Sequence, residues 1–422
     1  MNGRIISVAV ITLIVALFIG AFVFQDAVIN KFSTPQPIWH SGNIEIKWNE
    51  NGLNEENLEN VAKASTIFGL ELLQNLSEKN GNILLSPLSL WLAMAMLYEG
   101  ANCTTAEEIA KVMHFPENKS LLRENINYFL KKFGNCSENF TLSIANSLWA
   151  QNGFPVRDEY VNNLKNYYYA YFKLLNFIKD PEKAGIIINS WVENKTMGKI
   201  KDFFPKDSIT KSTVAVLVNA MYFHGLWANP FNESETNKGD FHTPNGIVEV
   251  DMMHQLNFFR YAEDRAAQII ELPYNGTNLS MLVILPTGNT LNISLENLNK
   301  WRENLEMKRV DITFPKFKID VKFSLKESLE AMGIREVFTG RADLSLISPQ
   351  RGIFVSDVFH ETYVSVDEKG TEAAAATGIP IEKTSVPLSP VEFRVDHPFL
   401  FLIEDRSTGA IFFIGWVEEP AS

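Results

Sequence analysis

Cysteine is scarce in this chain: 422 residues contain only Cys103 and Cys136. That rules out a disulfide framework and a four-cysteine zinc site, and sequence alone leaves open whether the two thiols pair. A basic excess is missing too. Thirty-eight Lys and Arg stand against 50 Asp and Glu, a formal charge of -12, and no local Lys/Arg cluster reverses it. Nucleic acid and anionic membrane surfaces are therefore excluded as main partners. Catalytic motifs are absent as well. There is no Gly-x-Ser-x-Gly elbow, and His360-Glu361 lacks the second His of a zinc protease helix. "TMGKI" has a Gly-Lys pair without the glycine spacing of a phosphate loop. The seven histidines are scattered at 40, 114, 224, 242, 254, 360 and 397. A Ser-His-Asp triad assembles in space, so spacing does not test it, and no motif supports one.

A long uncharged run occurs at the N-terminus. Met1 to Arg4 carries one positive charge, and Ile5 to Phe24 then runs without a charged residue. This reads as an export segment: residues 1–25 are a signal peptide or, because the run could span a bilayer and no clean cleavage site follows, a signal anchor. Arg4 keeps the N-terminus cytoplasmic in either case, so the rest is expected to be extracellular, held at a membrane only if residues 5–24 remain attached. Asn-x-Ser/Thr sequons begin at Asn75, Asn102, Asn118, Asn135, Asn139, Asn194, Asn232, Asn275, Asn278 and Asn292. Several in an exported chain predict some occupied glycosylation sites.

Residues 26–55 read as a polar, poorly ordered spacer around "STPQP". Leu58, Val61, Ser65, Phe68, Leu72 and Leu76 follow at helical spacing. Ser86-Pro87 opens a second helix, apolar nearly all round and so buried. "TTAEEIAKVMHF" and "SLLRENINYFLKKFG" predict further helices, and "FTLSIANSLWAQ" alternates like a strand. Strands then dominate: "TVAVLVNAMYFHGLW", "AAQIIELPY", "LSMLVILP", "RVDITFPKFKIDVKF", "SDVFHETYVSVDE", "PFLFLIED" and "AIFFIGWV", interrupted by the helix "LKESLEAMGI". With no internal repeat and no linker, residues 56–420 are expected to form one α+β domain.

"TEAAAATG" at 371–378 does not fit this pattern. Ala has high helix propensity, yet the run is too short for a stable helix and is followed by "IPIEKTSVPLSP". At "VSVDEKGTEAAAAT" the chain resembles the serpin family. "NILLSPLSL", "INSWVENKTMGKI", "VLVNAMYFHGLW", "DFH", "ADLS", "DHPFLFLI" and "FFIGWVEEP" occur in that family's order and approximate spacing. The resemblance implies a serpin fold: a large, mostly antiparallel central sheet, two smaller sheets, about eight or nine helices and an exposed reactive-centre loop, here about 368–390. It also implies a monomer that needs no cofactor and traps a target serine protease in a covalent complex, the cleaved loop entering the central sheet as a strand.

The implied roles fall on particular residues. The hinge comprises Glu368, Gly370, Thr371, Glu372, Ala373, Ala374, Ala375 and Ala376. On insertion, Thr371, Ala373, Ala375 and Thr377 face inward, and their small size needs no large cavity; Gly370 supplies the backbone freedom of a hinge. Ser86, Ser89, Asn219 and His360 match a polar "shutter" cluster beneath the sheet centre. Trp227, with a Lys316–Glu368 ion pair, matches the "breach" where insertion begins. Family spacing puts the reactive bond at Thr384–Ser385, whereas a trypsin-like pocket favours Lys383–Thr384, the bond preferred here. Thr384 leaves an elastase-like or cysteine protease as an alternative target. Pro380, which removes a ladder hydrogen bond from an inserting strand, leaves a non-inhibitory binding or carrier protein as another. The helix near Thr104 lacks the basic face of heparin-activated members, which argues against heparin dependence.

Overall fold

The computed structural model describes residues 34–420 except 43, 45, 50, 51, 53, 77–80, 134–139 and 372–388. Helix α1 (Glu55–Leu76) opens with Asn54 accepting from the Asn57 N–H at 2.8 Å and with Glu55 and Glu56 in its first turn, both favourable at a helix N-terminus. Its predicted stripe, Leu58 to Leu76, is buried throughout. Helix α2 (Pro87–Gly100) begins at Ser86, whose side chain accepts from Ser89 N, with proline in its first turn. Every residue of α2 except Ala93 is buried, because it packs between the two large sheets, against both β5 (Ala215–Leu226) and β17 (Ile411–Val417). The remaining helices are α3 (Cys103–Met113), α4 (Lys119–Phe133), α5 (Asp158–Tyr168), α6 (Pro181–Lys195), α7 (Leu295–Glu303) and α8 (Lys326–Met332), making eight α-helices among the described residues.

Six strands form the central sheet in the order β12 (Phe317–Ser324), β13 (Phe359–Val366), β14 (Gly370–Thr371), β5, β3 (Phe140–Gln151) and β4 (Tyr171–Leu175). Its pairs are antiparallel except β3 with β4. The expected smaller sheets are continuous with each other in a nine-stranded sheet: β15 (Val391–Arg394), β11 (Glu306–Pro315), β7 (Gly246–Glu263), β8 (Ala267–Pro273), β9 (Leu279–Pro286), β16 (Phe399–Asp405), β17 and β2 (Ile83–Leu85), with β6 (Asn237–Thr243) branching from β7. Strands β9, β16 and β17 are buried along their whole length, which is why they read as continuous apolar runs and not as alternation.

Two boundaries differ from expectation. The stretch "RVDITFPKFKIDVKF" is two strands in two sheets: β11 ends at Pro315 and β12 starts at Phe317. Proline offers no N–H to continue a ladder, and the crossing leaves Lys316 at the head of the central sheet. The 26–55 spacer contains a strand, β1 (Gln36–His40), paired in parallel with β10 (Thr290–Ser294). Its only buried side chain is Trp39, at 2% exposure, and its ladder partner is remote in sequence, so the segment carries no pattern of its own.

Candidate functional site at the head of the central sheet

β14 is two residues long and turns back from β13 through Asp367, Glu368 and Lys369. The Asp367 carboxylate accepts from Lys369 N at 2.9 Å and Gly370 N at 3.2 Å, and Asp367 N donates to Gly370 O at 3.0 Å. This is an Asx-type reversal. Thr371 then pairs with Val366 of β13 on one side and Gly225 of β5 on the other, and Gly370 with Leu226. Below this point β13 and β5 share no ladder, and β14 is the only described strand joining them. Both neighbours are antiparallel to β14, which thus points down the lane between them.

Packing fixes this entry point. Thr371 is 1% exposed, and its hydroxyl lies 2.7 Å from the Tyr274 hydroxyl. Trp227, directly after β5, stacks on the Tyr274 ring at 4.7 Å and 12°. The same Trp227 donates its indole N–H to Asp367 O at 3.0 Å and its backbone N–H to Lys369 O at 2.8 Å. The turn is therefore held from beneath by an aromatic pair. Gly370 is not among the glycines with a left-handed backbone here. Its requirement is space: a Cβ would stand 2.1 Å from Gly225 O and 2.8 Å from Leu226 Cα.

Lys316 Nζ lies 3.0 Å from a Glu368 carboxylate oxygen, and Thr236 Oγ1 donates to the other at 2.8 Å. Burial pushes the Glu368 carboxyl up, but the hydrogen bonds from its own N–H, Thr236 and Lys316, with the Lys316 charge, bring it below the ordinary carboxylate range. The pair clips the turn after β13 to the sheet crossing.

Further down the lane lies the polar cluster. His360 is fully buried, and its Nε2 accepts from Ser86 N at 3.0 Å. Burial holds the imidazole down to about 3, so it is neutral and acts as an acceptor. Ser86 Oγ contacts Met221 Sδ at 3.3 Å. The Ser89 hydroxyl donates to the Asn219 carbonyl oxygen, and Asn219 Nδ2 donates to Asn146 Oδ1 at 2.6 Å. The cluster thus ties the start of α2 to β5, β13 and β3. Sequence reasoning missed Thr236, Tyr274, Asn146 and Met221: they come from separate strands and loops and carry no motif.

The hinge residues Glu372 to Ala376 and the bond residues Lys383, Thr384 and Ser385 lie outside the described residues, as do Asn135, Asn139 and Cys136. Cys103 is an exposed free thiol. Asn75, Asn102, Asn118, Asn194, Asn232, Asn275, Asn278 and Asn292 are all exposed. Helix α3 has Lys111 as its last-turn base, while Lys119 of α4 is turned onto the carbonyls of Tyr98 and Ala101 at 2.6 and 2.5 Å and Arg123 onto buried Glu99 at 2.9 Å.

A family model described as "Serpin (serine protease inhibitor)" matches residues 63–420. The chain is a serpin. A serpin-like protein of Methanosarcina mazei is 39% identical over 387 residues, covering 88% of this chain and 90% of that one. Human thyroxine-binding globulin complexed with thyroxine has a similar structure, with a TM-score of 0.77, 27% identity and coverage of 86% and 100%. So does mouse protein-Z dependent protease inhibitor, with a TM-score of 0.76, 28% identity and coverage of 87% and 100%. The serpin fold thus includes a protease inhibitor and a thyroxine-binding protein at similar distance from this chain, and its own residues must separate the two readings.

Proposed function

We propose that this serpin is an exported inhibitor that traps a serine protease, preferably trypsin-like, as an acyl-enzyme. One observation carries the reading: β14 enters between β13 and β5, which share no ladder with each other among the described residues, and runs antiparallel to both with Thr371 already inward. Continued in that register, residue 377 falls opposite Asn219 on β5 and His360 on β13. Thr377 has the same inward parity as Thr371, and the intervening inward residues are Ala373 and Ala375. A loop with large inward side chains would have to displace the packing of α2.

In the proposed reaction the protease serine attacks the Lys383 carbonyl, an ester forms, and Thr384 leaves as a free amine carrying the proton. The released N-terminal side enters the lane and carries the tethered enzyme with it. The uninserted form is then kinetically held. Export rests on the uncharged 5–24 segment, with exposed sequons as supporting detail, and the protein acts outside the cell or tethered to a membrane.

The test is incubation with trypsin and separately with elastase, followed by denaturing electrophoresis and sequencing of the released peptide. An SDS-stable complex with a new N-terminus at Thr384 is the expected result; an N-terminus at Ser385 moves the bait to Thr384. Cleavage without a complex would give the lead to a binding role, which Pro380 favours.

A further inference from the structure

β1 gives the N-terminal spacer a fixed exit from the body. A spacer that merely joined an export segment to a domain would need no place in the fold, yet this one is attached twice. Trp39 is buried in the same core as Leu291 and Ile293 of β10, and β1 also packs on α1. Nearer the helix, Asn49 N donates to Asn57 Oδ1 at 2.9 Å and Asn60 Nδ2 to Lys47 O at 2.8 Å. β1 runs parallel to β10 with Gln36 opposite Thr290, and Gln36 N donates to Asn289 O at 3.0 Å. The described chain therefore starts, at Thr34, beside the turn between β9 and β10.

That exit is next to β15, the strand that follows the reactive loop in sequence. Thr34 and Pro35 line a cavity of about 600 Å³ together with Gly288, Glu392, Arg394 and His397, so the spacer and β15 face each other across one cavity. Ser385 is seven residues before Glu392, at most about 25 Å of extended chain. From Phe24, the end of the uncharged run, to Thr34 is ten residues, at most about 35 Å. A body of this length is about 55 Å across, and at a formal charge of -12 it has no attraction of its own to an anionic bilayer. A tether shorter than the body and attached beside β15 holds that side toward the bilayer. The foot of the central sheet lies elsewhere. β5 is 12 residues long, about 40 Å, and Cys103 belongs to its far end, through Asn102 N to Asp343 O, Arg157 N to Ile347 O and Gln151 N to Val214 O. Resting on the inhibitory reading and on retention of residues 5–24, which lie outside the described residues, we propose that β1 is a strap that turns the reactive-loop side toward the membrane. The protease captured is then one held at that same membrane surface. Such an enzyme meets the loop at an effective concentration set by the tether, with no added contact on either protein.

The experiment places the full chain in phosphatidylcholine vesicles that carry an acceptor dye on a lipid headgroup. A donor dye sits on native Cys103 in a Cys136→Ser chain, or beside the loop in Cys103→Ser/Cys136→Ser/Glu392→Cys, position 392 being exposed. Covalent capture is followed in the same vesicles with trypsin and with elastase, each free in solution and each coupled to a biotinylated lipid. The expected result is several-fold stronger energy transfer from 392 than from 103, and capture of the coupled enzyme at least about tenfold faster than of the free one at equal amount. Trp39→Ser, which should release residues 25–46 from the body, is expected to remove most of the difference in transfer. Equal transfer from the two sites overturns the orientation, and a difference that survives Trp39→Ser overturns β1 as the strap. A chain that washes off the vesicles overturns the tether on which both stand. Equal capture of free and coupled enzyme by an oriented chain overturns the membrane-held target alone. An oriented chain that traps neither enzyme in either form removes the inhibitory reading, and the assigned partner falls with it.

Discussion

Two residues at the lane show how local chemistry sets its behaviour. Gly370 is required because backbone, not a flexible side chain, occupies the place of a Cβ. Gly370→Ala is therefore expected to force β14 out of register, costing about 1–3 kcal/mol as other overpacking does, and to raise the number of inhibitor molecules cleaved per enzyme trapped. Unchanged stoichiometry and unfolding temperature would show that β14 yields freely. His360 is neutral in the fold, its ionisation held down to about 3 by burial, against about 6.5 in an unfolded chain. The unfolded state takes up the proton first as pH falls, so this contribution is complete above pH 6.5 and is lost progressively toward pH 3, by about 1.4 kcal/mol per pH unit. Glu368, whose carboxyl is held below its ordinary range, acts in the same direction at the acid end. Thermal unfolding scanned from pH 7.5 to 4 should fall for wild type and fall less steeply for His360→Asn, which keeps an acceptor for Ser86 N. Parallel curves would sink this assignment.

At the scale of elements, the Lys316–Glu368 pair joins the β11–β12 crossing to the β13–β14 turn, with the carboxylate side chain 9% exposed and the ammonium 34%. Lys316→Ala leaves Glu368 with Thr236 and backbone donors alone, at a cost of about 1–2 kcal/mol, between exposed and buried pairs. Inhibitory capacity at a raised temperature should then decay several-fold faster than in wild type as the loop enters the lane uncut, and an unchanged decay would deny the pair its role as a clip. Trp227, stacked on Tyr274 against this turn, is the natural fluorescence reporter of that change. The sequence made parts of this arrangement readable. Helices α1 and α2 were legible because a 3.6-residue stripe and a Ser-Pro start are local signals. The inward parity of Thr371 was legible because strands alternate. The sheet crossing at Lys316 was not, since alternation runs unbroken through Pro315 and Phe317. β1 was hidden because its register is supplied by β10, about 250 residues away. The Thr371–Tyr274–Trp227 stack joins β14, the end of β5 and the chain after β8, and no periodicity reports a contact between separate elements.

For the whole molecule, the decisive feature is a central sheet in which, among the described residues, β13 and β5 are laddered to each other only through β14 at the head. Most buried backbone groups in proteins find partners, so β5 and β13, which share no ladder with each other among the described residues, offer pairing to a strand that enters between them. Residues 372–380, running on from β14, could hydrogen-bond on both sides except at Pro380. About a dozen new bonds at roughly 1 kcal/mol net each would stabilise the cleaved form by on the order of 10 kcal/mol. For a domain of this length the entropy of unfolding converts that into a rise of about 10–15 °C in unfolding temperature. Limited proteolysis confined to 383–385, followed by calorimetry, should therefore give a nicked chain that melts well above the intact one. An equal or lower melting temperature would mean that the cut segment stays outside the sheet. Such a chain could still bind a ligand or be consumed as a substrate, but it would lack the free-energy drop that carries a trapped protease, and the inhibitory reading would fail on energetic grounds even if the loop were cut at Lys383.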